Sequence, residues 1–219
     1  MLRKFMFIDA ESLEDYYLSI FDNTDVNNIK KFNELYKYLK ENNAIKGFKE
    51  NIEEFKVGDI IEMNITVKIP EMYMQIRQFS KIAPFFGHAQ NLGLWKIESE
   101  EDMNTLEGIK GVSNLIDNQN IPIIGECIKN NKKLKIVTHI NDIFLKVNLK
   151  EFEGEVTIMG KVKSVLKKGK GLDVYNFIPE IEKLIINREE RRKFKKENTE
   201  FIDRVSGPAL EIYTLAIYR

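Results

Sequence analysis

The first part of the chain places its apolar residues mainly with the period of an α-helix. Residues 3–8 predict a short strand, with an apolar run from Phe5 to Ile8, and Asp9 after it is a residue type that caps helix N-termini. Apolar residues then recur at three- and four-residue spacing in two stretches, which predicts two amphipathic helices separated by a loop at 22–28. These stripes consist of Leu13, Tyr16, Tyr17 and Ile20, and of Ile29, Phe32, Leu35, Tyr36 and Leu39.

From residue 58 the period changes to two. The odd positions from Ile61 to Ile69 are apolar and the even positions from Glu62 to Lys68 are polar, which predicts a strand with one wet face. Pro70 ends this strand and suits the first turn of a following helix.

The second part of the chain is richer in strand patterns. Apolar or alternating runs at 122–128, 134–137, 155–166, 172–177 and 208–218 predict strands, and the charged stretch 181–198 predicts a helix. We therefore expect an α+β fold with a mixed or antiparallel sheet, its helices mostly in the N-terminal half and its strands mostly in the C-terminal half. Residues 1–219 are expected to form a single compact unit, with a helix-rich subdomain 1–118 and a strand-rich subdomain 121–219 as the alternative.

The last strand pattern is apolar on both faces, as in a buried strand. Such a strand makes a poor exposed edge, and the short run at 3–8 needs a partner. We therefore expect the first and last strands to be neighbours in one sheet.

Composition indicates the cellular compartment of the protein but does not indicate its binding partner. Lys and Arg total 34, as do Asp and Glu, so overall charge favours no partner. Cys127 is the one cysteine, which rules out an intramolecular disulfide and fits a reducing compartment. Asp9 and Glu11 interrupt the first apolar run too early for a signal peptide, and no apolar stretch approaches the ~20 residues of a membrane span. We expect a cytoplasmic protein with no membrane partner.

Charge is nevertheless clustered locally. Residues 161–196 contain twelve basic and five acidic residues, a net charge of +7, whereas residues 98–107 contain five acids and no base. A basic strand face beside a basic helix can hold phosphates. A solvated helix face, or self-association of the acidic and basic segments, explains the counts equally well. The candidates for binding a polyanion or a partner are Lys161, Lys163, Lys167, Lys168, Lys170, Arg188, Arg191 and Arg192.

One segment has the composition of a ligand-binding loop. Residues 84–93 combine aromatic, amide and imidazole side chains between glycines, and loops of this kind offer stacking faces together with hydrogen bonds. The candidate ligand-binding residues are Phe86, His88, Gln90 and Asn91. In the alternative interpretation, Phe85 and Phe86 anchor the loop on the core while its polar residues face water.

The sequence gives little support for a metal site, a reactive cysteine or a phosphate-binding loop. The two histidines, His88 and His139, and Cys127 have no metal-ligand spacing. Cys127 lies in an apolar run, which is typical of a small buried hydrophobe, and His139 is expected to be a surface residue near a strand end. The glycines at 169 and 171 indicate a turn rather than a phosphate-binding loop. We predict no catalytic residue, no cofactor and no metal.

Three segments together resemble a known family. They are residues 7–20 (FIDAESLEDYYLSI), 152–169 (FEGEVTIMGKVKSVLKKG) and 207–219 (GPALEIYTLAIYR). In this order they are similar to an uncharacterised family of small bacterial proteins, mainly from Firmicutes, known only as a domain of unknown function. The resemblance implies one conserved unit and no known activity. It also implies an association with mobile elements, including phage defence.

These observations favour a non-enzymatic binding or regulatory module that contacts a protein or a small ligand. The alternative is a protein that binds nucleic acid or another polyanion through residues 161–196, and an enzyme of unfamiliar type comes third. Assembly into a homo-oligomer stays open.

Overall fold

The structure is a computed structural model. It describes residues 5–20, 27–71, 120–173 and 204–219, together with positions 73–75, 77, 78, 81, 82 and 85. The helix predicted at 181–198, residues 22–26 of the predicted loop and most of the segment 84–93 lie outside the described residues.

A strand and two helices begin the described chain, as the sequence predicts. β1 spans Phe5–Ile8 and α1 spans Ala10–Ile20. Asp9 caps α1, because its carboxylate accepts from the Ser12 backbone N–H at 2.9 Å and from the Ser12 hydroxyl at 3.1 Å. The predicted cap at Asp9 is therefore confirmed.

The second helix, α2, spans Asn28–Glu41. Phe32, Leu35 and Leu39 are buried, which confirms the apolar stripe over most of the helix. Ile29 is an exception: it lies in the first turn, is 51% exposed and is outside the apolar cluster that takes up the rest of the stripe. Ile29 therefore belongs to the stripe by its spacing but does not take part in the core.

Most of the remaining described chain is strand. The strands are β2 (Ile45–Lys46), β3 (Ile60–Lys68), β4 (Asn120–Lys129), β5 (Lys132–Asn141), β6 (Gly154–Leu166), β7 (Gly171–Asp173), β8 (Arg204–Ser206) and β9 (Ala209–Tyr218). The short helix α3 spans Leu149–Phe152, and single 3-10 turns lie at Ile52–Glu54 and Asp142–Phe144.

Five of these strands close into a ring. β3 pairs with β4, β4 with β5, β5 with β9, β9 with β6, and β6 again with β3. The β5–β9 pair is parallel and the other four are antiparallel. β2 extends the ring beside β3, in parallel, and β1 pairs with β9 in antiparallel register. The predicted contact between the first and last strands is confirmed.

The interior of this barrel is apolar apart from two hydroxyls. Alternate residues of each strand point inward and are buried, as Ile61, Ile123 and Ile158 illustrate. Thr138 and Thr214 are the buried polar exceptions among these strands' inward positions. The Thr138 hydroxyl donates to the Ile212 carbonyl at 2.8 Å and accepts from the Thr214 hydroxyl at 3.0 Å.

A second apolar cluster lies outside the barrel, where α1 and α2 pack on β6 and β9. Its members are Ile8, Leu13, Phe32, Leu35, Tyr36, Leu39, Ile60, Met159, Ala216 and Tyr218. One part of the barrel's outer surface is therefore covered by helices.

The chain divides into two compact units. The first comprises Met1–Ile69, Asn120–Val174 and Arg204–Arg219 and contains every strand and helix named above. The second comprises Pro70–Gln119 and Tyr175–Asp203. Along the chain, the two segments of the second unit are inserted between β3 and β4 and between β7 and β8. The predicted α+β class is confirmed, with a mixed sheet, helices N-terminal and strands mostly C-terminal.

Candidate functional site

A groove follows the outer face of β3. Along this strand the inward side chains are apolar, so the outward positions Asn64 and Thr66 are left exposed. β4 borders the groove on one side and β6 on the other. Glu126, Ile128, Glu155, Thr157 and Arg219 complete a lining that encloses about 650 Å³. We call this part the Arg219 arm.

The groove continues towards the other end of β3. This second part encloses about 520 Å³ and shares Asn64, Ile128 and Thr157 with the first, so the two form one surface, the β3 groove. Further lining comes from Phe48, Glu62, Lys129 and Tyr218. We call this part the Glu62 arm.

The groove exists because β3 and β4 separate. Their described pairing covers only three residues of each strand, with Thr66 opposite Glu126 and Lys68 opposite Ile124. Before Thr66, β3 continues beside β6, and β4 continues beside β5 to Lys129. Residues 62–65 of β3 therefore have a strand partner on one side only, within the part of the chain that the structure describes.

A bridging segment crosses this opening at the start of β3. β2 pairs with residues 60 and 61 of β3, and the chain then runs to Glu50. The Glu50 carboxylate accepts from Lys132 Nζ at 2.7 Å and from Asn130 Nδ2 at 3.1 Å, both in the β4–β5 turn region. The hydrogen bond from Lys132 is the main reason that the pKa of Glu50 lies below its usual value. The segment 47–50 thus joins β3 to the β4–β5 hairpin and bounds the groove.

Arg219 is held in place at the other end. Its guanidinium donates from Nε to the Glu155 carbonyl at 3.1 Å, and from one terminal nitrogen to the carbonyls of Glu151 and Glu153 at 3.1 and 3.0 Å. The Glu153 carboxylate accepts from the Ile69 backbone N–H at 3.1 Å. The hydrogen bonds of Arg219 hold its guanidinium against residues 151–155, where the chain enters β6.

Glu62 closes the second arm. Its carboxylate accepts from the Tyr36 hydroxyl at 3.1 Å and also from the Tyr218 hydroxyl. Lys40 Nζ in turn donates to the Tyr36 hydroxyl at 3.1 Å. This network ties α2 and the end of β9 to β3, so the outer helices and the groove share a polar contact.

The basic candidates on β6 are engaged with neighbouring groups. Lys163 Nζ lies 2.6 Å from Glu211 Oε1, and the hydrogen bond to that carboxylate is the main reason that the pKa of Lys163 is raised. Lys167 Nζ lies 2.7 Å from Glu53 Oε1. Lys161 Nζ lies 5.3 Å from the centroid of the Tyr16 ring, within cation–π range.

Lys168 and Lys170 differ from these three. Both are exposed in the turn between β6 and β7, where Gly169 has a φ of 85° and the Lys170 N–H donates to the Lys167 carbonyl at 3.0 Å. The predicted turn is confirmed. Arg188, Arg191 and Arg192 lie outside the described residues, so the structure places five of the eight basic candidates.

The predicted ligand loop is almost entirely outside the described residues, including Phe86, His88, Gln90 and Asn91. Phe85 is described, lies in helical backbone and is 71% exposed. The alternative interpretation, in which Phe85 anchors the segment on the core, is therefore wrong for that residue.

Cys127 and His139, the described candidates for nucleophilic or metal-binding chemistry, lie on the barrel strands. Cys127 on β4 is buried, and burial raises the pKa of its thiol, which confirms the small-hydrophobe interpretation. His139 lies two residues before the end of β5 and is half-buried, so it is less of a surface residue than predicted. Burial is the main cause that lowers the pKa of His139, and Lys163 lowers it further.

Within the described ranges, no three His, Cys, Asp or Glu side chains come together as metal ligands would. Among the same residues, no helix combines the length and apolar character that a membrane span requires.

Sequence reasoning missed the β3 groove. The available signal was the row of outward polar residues Glu62, Asn64 and Thr66, but any half-exposed strand gives the same alternation. The partners of this row come from β4, from β6 and from the last residue, Arg219.

Comparison with known proteins adds a family and no activity. No curated protein and no solved structure matches the chain. A family model described as a domain of unknown function (DUF6414) matches residues 29–218, which is most of the chain. The protein with this barrel and groove therefore belongs to the DUF6414 family.

Proposed function

We propose that this chain is a non-enzymatic binding module and that the β3 groove holds its ligand. The observation that carries the proposal is the convergence of polar side chains from β3, β4 and β6, with Arg219, around the Arg219 arm of the groove, which encloses about 650 Å³. This volume lies within the usual range of small-molecule sites, about 300–1,000 Å³, in which a few placed polar groups fix the ligand's orientation. The polar groups in this arm are amide, hydroxyl, carboxylate and guanidinium groups, which can bind a ligand through hydrogen bonds.

The strand order of the barrel supports a binding role by analogy. A five-stranded Greek-key barrel in the order β3-β4-β5-β9-β6, with one parallel pair, has the topology of the OB-fold. Barrels of that fold bind oligonucleotides and oligosaccharides, and their connections between the first two and the last two strands contribute to binding. Here the equivalent connections contain residues 70–119 and 175–203.

A pair of matched variants tests the use of the groove. Thr66 lines the groove, whereas Lys68 is exposed on the same face of β3 and is not part of the lining. Thr66→Trp should fill the groove, and Lys68→Trp should not. A ligand of the groove should raise the melting temperature of the wild type and of Lys68→Trp, but not that of Thr66→Trp, because binding to the folded state stabilises it by mass action.

The same screen can contradict the proposal. Equal stabilisation of both variants by every ligand found would place binding elsewhere. Catalytic turnover of a screened compound, abolished by a single substitution in the groove, would show an enzyme and refute the non-enzymatic role.

A second candidate function is the binding of nucleic acid or another polyanion. It is favoured by Lys168 and Lys170, which are exposed in the turn after β6, within a segment of net charge +7. Lys161, Lys163 and Lys167 support it less, because each has a neighbouring aromatic ring or carboxylate. Binding to single-stranded DNA at low salt separates this candidate from the first.

We also infer that the module acts in the cytoplasm. Cys127 is the chain's one cysteine, and it is buried with a raised pKa, so the protein neither forms an internal disulfide nor presents a reactive thiolate. Fractionation of native host cells with an antibody to the chain tests this inference. Recovery from the extracellular or membrane fraction would contradict it.

A further inference from the structure

The charges of the β3 groove limit the class of ligand that it can hold. Its lining contains three carboxylates, Glu62, Glu126 and Glu155, and two cations, Lys129 and Arg219. Glu126 also lies 2.6 Å from the ammonium of Lys133, on the neighbouring strand. Counting that lysine, the groove and its border are balanced. A chain of phosphates needs an excess of positive charge, and the groove does not supply one.

The hydrogen-bonding groups favour a ligand that both donates and accepts. The Thr157 hydroxyl donates to Asn64 Oδ1 at 2.9 Å, which orients the carboxamide and keeps its NH₂ group as a donor. Thr66 and Glu155 are exposed beside it, one a hydroxyl that donates and accepts, the other a carboxylate that accepts. Alcohol groups of a ligand can satisfy all of these side chains, since each alcohol is both donor and acceptor.

Apolar surface lies between these polar groups. Ile128 lines both arms and is 69% exposed, and Phe48 is half-buried in the Glu62 arm. A ligand that presents C–H faces as well as hydroxyls would cover them. Sugar rings have this combination of an apolar face and a polar edge.

We propose that the β3 groove binds an uncharged, hydroxyl-rich ligand of the oligosaccharide class. This inference rests on the proposed function, because it names the ligand of the same groove. Asn64 and Thr157 line both arms of the groove and Thr66 lines the Arg219 arm, and these three are the principal contacts. The Arg219 arm and the Glu62 arm give the site two ends, so a short chain of sugars can extend along β3.

The test is a set of NMR titrations of the full chain, followed through backbone amide signals. The probes are neutral chitohexaose and maltohexaose, cationic spermine and anionic (dT)10, each added separately. We expect a neutral oligosaccharide to shift the signals of Asn64, Thr66 and Thr157. The shifts should persist in Lys68→Trp and be lost in Thr66→Trp. Asn64→Ala should weaken binding about tenfold, the equivalent of one hydrogen bond.

The outcomes distinguish the two proposals. Shifts in the groove with spermine or (dT)10 and with neither sugar would overturn the oligosaccharide inference and leave the groove as a binding site. Absence of groove shifts with all four probes would overturn both. Glu155→Gln gives a further check, since the loss of one charge should weaken a cationic ligand more than a neutral one, for which the amide oxygen still accepts a hydrogen bond.

Discussion

Lys163 Nζ lies 2.6 Å from Glu211 Oε1 and connects β6 to β9 on the outer face of the barrel. The Ser164 hydroxyl also donates to this carboxylate, at 2.8 Å. Glu211 is only 8% exposed, so these two groups supply much of the solvation that the carboxylate loses on folding. A lysine that the sequence presents as a candidate for polyanion binding is thus a partner of a buried acid.

Replacement of Lys163 should therefore destabilise the fold. Lys163→Met leaves the Glu211 carboxylate without its cation, and we expect the free energy of unfolding in urea to fall by about 1–2 kcal/mol. Lys168→Met is the matched control, an exposed lysine five positions on, and should change stability by no more than about 0.5 kcal/mol. Equal effects of the two substitutions would show that the ion pair contributes nothing measurable.

Stability should depend on pH through His139. Its pKa is lowered first by burial and then by the charge of Lys163, while Glu211 and Asp9 act in the opposite direction. The unfolded chain therefore binds the proton more tightly than the folded protein. The stabilising contribution is complete above the ordinary pKa of 6.5, decreases as the pH falls through that value, and levels off below the folded-state pKa.

Urea unfolding between pH 7.5 and 5.5 measures this effect, and His139→Gln should flatten the slope. Glu50, Glu53 and Asp59 also have lowered pKa values, but their window lies below ordinary values of 4.5, 4.5 and 3.8. His88→Gln is the control for the other histidine. If the slope follows His88 and not His139, the assignment to β5 is wrong.

Gly160 allows β6 and β9 to approach at a register shift. The pairing changes between Met159 and Gly160, and a Cβ built on Gly160 would collide with the Tyr213 carbonyl oxygen. Gly160→Ala should lower the free energy of unfolding by about 1–3 kcal/mol, because the backbone must move. Gly47→Ala is the control: no atom lies within 4 Å of its added Cβ, so stability should change little. A neutral result at Gly160 would mean that the strands relax without cost.

The buried hydroxyl of Thr138 should also be important for stability. It donates to the Ile212 carbonyl and accepts from Thr214, and both threonines are buried. Thr138→Val keeps the shape but removes the donor to the Ile212 carbonyl and the acceptor of the Thr214 hydroxyl, at an expected loss of about 1–3 kcal/mol. Thr66→Val removes an exposed hydroxyl from β3 and should change stability by less than about 0.5 kcal/mol. Denaturation midpoints close to each other for the two variants would contradict the prediction.

The sequence predicts the local elements well, because their period depends on neighbouring residues. The alternation from Ile61 to Ile69 and the cap at Asp9 require no knowledge of the rest of the chain. The closed barrel does require it: β3 and β4 are separated by more than 50 residues, and apart from the contact between the first and last strands the sequence does not indicate which strands pair.

The same limit applies to charges. The run of lysines after β6 is visible in the sequence, but their partners are not: Glu53 lies 114 positions before Lys167, and Glu211 lies on another strand. Counting charges within a segment therefore overestimated the free positive charge of this face. The β3 groove was missed for the same reason, since Arg219 and Thr157 join Asn64 only in the folded chain.

The two proposed functions make different predictions for the basic turn at residues 168–170. Of the five described basic candidates, Lys168 and Lys170 are those in the exposed turn, and the other three already contact a carboxylate or a ring. Two phosphate contacts to single-stranded DNA would give a log–log salt slope of about −1.4, at about −0.7 per contact. A steeper slope would require additional cations, with Arg188, Arg191 and Arg192 as the first candidates.

A gel-shift series from about 50 to 200 mM salt, with a single-stranded 20-mer, provides the measurement. If the turn binds DNA, Lys168→Gln with Lys170→Gln should reduce the slope by about 1.4 and leave the melting temperature unchanged, because both side chains are exposed. The matched control is Lys37→Gln, an exposed lysine of α2, which should alter neither quantity. We expect the native chain to give no shift even at about 50 mM salt, since carboxylates already neutralise part of this face. A shift that the double substitution abolishes would instead establish the polyanion function and assign it to the turn.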